Sequence, residues 1–66
     1  MSFIMETPKN IDDLVKDANR KHSWKIRLSA LNELKKYDCR QSRDVITRLA
    51  LHDKVYKVKE EAFRAA

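Results

Sequence analysis

The chain reads as an all-α protein, an α-solenoid fragment of two stacked antiparallel helical hairpins (four helices), and three observations predict this. Apolar residues recur at helical spacing along most of the chain, and no stretch sustains the period-2 alternation of a strand. Glycine is absent and Pro8 is the only proline, so the tight turns of strand hairpins have nothing to form them. Third, the sequence repeats itself after a shift of 32 residues.

Helix 1 is expected to begin near Pro8, because Thr7 offers a hydroxyl to the first free N–H groups and proline has no N–H to leave unpaired. Ile11, Leu14, Val15 and Ala18 then fall at i, i+3, i+4 and i+7, a stripe about 100° wide that suits burial on one side. Ser23 is placed to cap a second helix reaching Tyr37. Its apolar residues Trp24, Ile26, Leu28, Ala30, Leu31, Leu34 and Tyr37 cover about 200° of the wheel and call for neighbours on two sides. Asp38 with Gln41 three residues on has the form of a capping box for a third helix, 39–51, whose Cys39, Val45, Ile46, Leu49 and Ala50 share a face that Leu51 leaves. Asp53 is the expected cap of a fourth helix, 54–66, with Val55, Tyr56, Val58, Ala62, Phe63, Ala65 and Ala66 on a wide arc. The turns near 21–23, 38–39 and 52–53 leave room only for antiparallel neighbours. Residues 1–7 form an N-terminal segment whose Phe3, Ile4 and Met5 are available to fold back over helix 1.

The shift of 32 sets Asp12 on Asp44, Leu14 on Ile46, Ala18 on Ala50, Trp24 on Tyr56, Ile26 on Val58, Ala30 on Ala62 and Leu31 on Phe63. Each unit, 8–38 and 39–66, is one hairpin, and such hairpins bury their faces only against neighbours. Arg27 projects between Leu31 and Leu34 on the apolar arc of helix 2, where a charge is tolerated only if paired or able to snorkel. Asp53 in the next turn is the available carboxylate.

The stretch Trp24-Lys25-Ile26-Arg27-Leu28-Ser29-Ala30-Leu31, and its echo Tyr56 to Phe63 after Asp53, resemble the second helix of a HEAT repeat: an aspartate in the turn, an aliphatic-Arg pair, then Ala three residues later. The resemblance covers residues 8–66 and departs at Lys21, which stands where the first repeat would carry its turn aspartate. It implies a solenoid of HEAT-like repeats, a ladder linking Arg27 to Asp53, and a partner surface on the second helices.

Sixty-six residues make one domain, which at this size buries only about 60% of the surface its unfolded chain exposes. The longest apolar runs are too short for a signal sequence or a membrane span, which with the single Cys39 predicts a cytoplasmic protein. Cys39, His22 and His52 lack metal-ligand spacing, and Cys39 reads as a small buried residue. Asp13 and Asp17 lie four apart on the solvent side of helix 1, and two short hairpins are not expected to enclose a cavity of several hundred Å³ around them. No catalytic residue, metal or cofactor is predicted, and so no enzyme. Trp24 and Tyr56, just after their turns, are expected to pack between repeats.

Fifteen Lys and Arg against ten Asp and Glu leave a net charge of +5, which favours acidic partners. The outward residues Lys25, Asn32, Lys36, Lys57 and Arg64 are the candidate partner-binding set, and the expected function is a protein-protein interaction scaffold or adaptor. The alternative is a non-catalytic nucleic-acid-binding module using the same basic face, similar in fold to HEAT-like DNA glycosylases. Helix 4 presents Val55, Val58 and Phe63 as a self-association edge, so the chain is expected to form a homo-oligomer or to belong to a longer one.

Overall fold

A computed structural model describes residues 7–65. The expected fold-back of Phe3, Ile4 and Met5 and the placement of Ala66 lie outside the described residues. The fold is all-α, with four helices among those residues: α1 (Ile11–Ala18), α2 (Trp24–Leu34), α3 (Arg40–His52) and α4 (Tyr56–Ala65). None is long and apolar enough to cross a membrane.

The helix ends differ from the sequence reading, each for a local reason. Pro8 does not open α1, because its carbonyl accepts the Ile11 N–H at 3.2 Å in a single tight turn; the first helical bond is Leu14 N–H to Asn10 O, 3.0 Å. α2 stops at Leu34, short of Tyr37, as Lys36 and Tyr37 donate three residues back to Glu33 and Leu34 and tighten the last turn. Ser23 occupies the N-cap position of α2, but its side chain makes no capping bond. The expected capping box of Asp38 and Gln41 does not form. Cys39, in extended backbone (φ −125°, ψ 162°), holds the N-cap position of α3, and Asp38 pairs instead with Arg43. Asp53 accepts the Val55 N–H at 2.8 Å, which delays α4 to Tyr56.

α1 packs on α2 and α3 on α4, giving two hairpins; across them α2 meets α4 and α1 meets α3, so like helices stack on like. The 32-residue register explains the core. Ala18 and Ala50 on the first helices, and Ala30 and Ala62 on the second, are all buried, and their small side chains let the backbones approach closely. Leu31 and Leu34 from α2, Ile46 and Leu49 from α3, and Val58 from α4 fill the space between, each contributing roughly 1.5–3 kcal/mol by burial. Ser42, fully buried, is satisfied by donating its hydroxyl to the Leu34 carbonyl at 2.8 Å.

Three equivalent pairs break the symmetry. Val58 is fully buried whereas Ile26 is 38% exposed; Leu31 is fully buried whereas Phe63 is 64% exposed; Trp24 packs on the core whereas Tyr56 is 77% exposed. The expectations that Ile26 lies within the buried arc and that Tyr56 packs between repeats are therefore corrected. Each hairpin covers only one face of the other, so the same pattern position is buried in one repeat and open in its partner.

Candidate functional site

The buried flank of α2 carries Arg27, only 9% exposed, toward the turn that ends α3. Its Nε donates to Asp53 Oδ2 at 2.9 Å and an Nη to Oδ1 at 3.2 Å, a two-pronged pair. The other Nη donates to the carbonyls of Arg20 (2.6 Å) and Lys21 (3.2 Å). The guanidinium thus grips the turn of its own hairpin and the carboxylate of the next. Where the first repeat lacks a turn aspartate, the Lys21 backbone carbonyl takes one of the hydrogen bonds. Asp53 also accepts from Val55, and no buried side-chain polar atom among the described residues is left unpaired. A buried pair of this kind adds little net stability over an apolar one, but removing one partner strands the other.

The candidate partner-binding residues Lys25, Asn32, Lys36, Lys57 and Arg64 are all exposed. Lys25 and Lys57, like Asn32 and Arg64, hold equivalent positions on α2 and α4, whereas Lys36 lies beyond the end of α2 in the following turn. The charge of this face is smaller than the count of cations suggests. Lys36 pairs with Glu33 at 3.2 Å, and Arg64 with Glu60 at 2.7 Å and Glu61 at 3.5 Å. Lys25 Nζ stands 5.8 Å from the centre of the Trp24 ring, a cation–π contact. Lys57 has no ion pair among the described residues.

The proposed edge of helix 4 is also redrawn: Val58 is fully buried against the first hairpin, Val55 is half-buried on the core, and only Phe63 of the three lies well exposed. Leu51, also exposed, was legible as lying off the face of α3.

Burial pushes the Cys39 thiol up, but the Ser42 N–H, the Thr7 hydroxyl and the Gln41 N–H together hold it below the usual thiol range. Ser42 gives its one hydroxyl proton to Leu34 O, so the free N–H groups of the first turn of α3 are the donors best placed to favour the thiolate. Cys39 is nonetheless buried, and among the described residues no group of His, Cys, Asp and Glu is arranged to hold a metal.

The surface carries open grooves of several hundred Å³, none of them an enclosed cavity. One of about 450 Å³ is lined by Asp17, Ile26 and Glu33, but Asp17 is tied to Arg20 at 3.2 Å and Asp13 does not line it. Another, of about 360 Å³, lies between Tyr37, Ile46 and Ala65. A third lies at the turns that join the helices of each hairpin. No family model matches this chain, and neither does any curated protein or solved structure.

Proposed function

We propose that this chain is a pair of HEAT-like repeats that binds a protein partner through the exposed face of α2 and α4, without chemistry of its own. The observation that carries the reading is the grip of Arg27 on Asp53: the second helix of one hairpin reaches the turn of the next, the link that the HEAT resemblance implies. The order of helix contacts is compatible with solenoid stacking. Lys25 and Lys57 then stand in register on one face as cations to meet an acidic segment. Local pairing of Lys36 and Arg64 with glutamates weakens the nucleic-acid alternative on this face, since few charges remain to track a phosphate backbone. The Phe63 edge belongs to the same reading, as a place where another hairpin, here a second copy of the chain, covers Phe63 as the fold itself covers the equivalent Leu31.

The test is a titration of the labelled chain with a glutamate-rich peptide, followed by amide chemical shifts. Shifts centred on Lys25, Asn32, Lys57 and Arg64, abolished by Lys25→Glu with Lys57→Glu, support the reading. Shifts confined to other surfaces, or binding indifferent to the charge reversal, reject it.

A further inference from the structure

At the end of the molecule where the two hairpin turns come together, a groove of about 700 Å³ opens beside the Arg27–Asp53 pair. Lys21 and His22 from the α1–α2 turn, Arg48 and His52 from α3, and Lys54 from the α3–α4 turn form its rim, all exposed. Lys21, Arg48 and Lys54 have no ion pair among the described residues. The one carboxylate in the lining is Asp53, and both its oxygens are already engaged by Arg27 and the Val55 N–H. Its charge is matched by the guanidinium, so nothing in the groove offsets the rim.

Gathering like charges in one place opposes folding, and nothing in the packing requires these three to meet. The register sharpens the point: Lys21 occupies the position at which the second repeat has Asp53, so the first turn supplies a cation where the repeat pattern supplies a carboxylate. Local departures from an otherwise consistent pattern tend to mark function.

We infer that this groove binds an oligophosphate, two or more adjacent phosphate groups. Several separated cations around a groove of this volume match several densely charged anions rather than one small ion. Arg48 offers a planar fork for phosphate oxygens, and the lysines act as point charges. His22 and His52 add ring N–H donors. Among the described residues no Phe, Tyr or Trp lines the groove, and the cations of its rim address the phosphates themselves. The site is separate from the α2/α4 face, so failure of either proposal leaves the other standing.

Calorimetric titration of the chain with inorganic tripolyphosphate at low salt tests it, beside sulfate at matched ionic strength, a short DNA duplex and a glutamate-rich peptide. Tripolyphosphate is expected to bind at least about tenfold more tightly than sulfate. Lys21→Gln with Lys54→Gln should weaken it by a further factor of about ten, while Lys25→Gln with Lys57→Gln changes it less than about twofold. Both lysines are exposed and the Lys21 carbonyl is retained, so helix content by circular dichroism should be unchanged. Duplex binding that responds to the same two substitutions assigns the phosphates to a nucleic-acid backbone; binding of tripolyphosphate without duplex assigns them to a free oligophosphate. Sulfate or the peptide binding as tightly as tripolyphosphate, or equal losses in the two double variants, would overturn the proposal.

Discussion

Arg27 makes four hydrogen bonds in one of the least solvated parts of the fold, two to a carboxylate and two to carbonyls. Arg27→Ala should cost about 3–5 kcal/mol, since it leaves Asp53 charged and nearly buried without its cation. Lys25→Ala removes the same formal charge from an exposed site and should cost less than about 0.5 kcal/mol, both being read by urea unfolding. That contrast was legible in the sequence because a guanidinium on an apolar arc has few tolerable fates. The oligophosphate groove was not, since Lys21 is far along the chain from Arg48 and Lys54 and only the packing of one hairpin on the other brings it to them; the one signal was Lys21 in place of an aspartate. Cys39 carries a pH dependence. With its thiol held below the unfolded value, the folded chain favours the thiolate; the gain is full above the unfolded thiol value and is lost as pH falls through the folded one. The stability gap between the parent chain and Cys39→Ser should therefore shift in favour of the parent from neutral to alkaline pH, and a gap that stays flat would remove the helix-terminus account.

The helices themselves were legible from spacing, and their order from the register of buried alanines at 18, 30, 50 and 62. Their ends were less so, because three-residue bonds at Pro8 and after Leu34, and the Asp53 bond to Val55, compete locally with the helix in ways that periodicity does not register. Burial on α4 was misjudged at Val58 and Tyr56 for another reason: a repeat pattern assigns a position but not whether a neighbour exists to cover it. Leu31→Ala should cost about 2–5 kcal/mol, as it opens a cavity between the hairpins. Phe63→Ala, at the equivalent position, should change stability by less than about 0.5 kcal/mol when measured in dilute solution.

Taken together, the two hairpins leave Phe63, Tyr56 and Leu51 uncovered on the second. Sedimentation over a concentration series should show the parent chain associating and Phe63→Ser remaining monomeric; identical behaviour of the two would remove the edge from the proposed function. The hold of one side chain on both turns also governs how the molecule comes apart. If the second hairpin peeled away while the first stayed folded, Arg27 would keep its carbonyls but lose its carboxylate, so partial opening is penalised relative to complete unfolding. Backbone amides of α2 and α4 should then exchange with deuterium at similar protection in the parent chain. In Arg27→Lys, which keeps the charge but loses the fork, α4 should exchange first, turning one concerted opening into two successive ones.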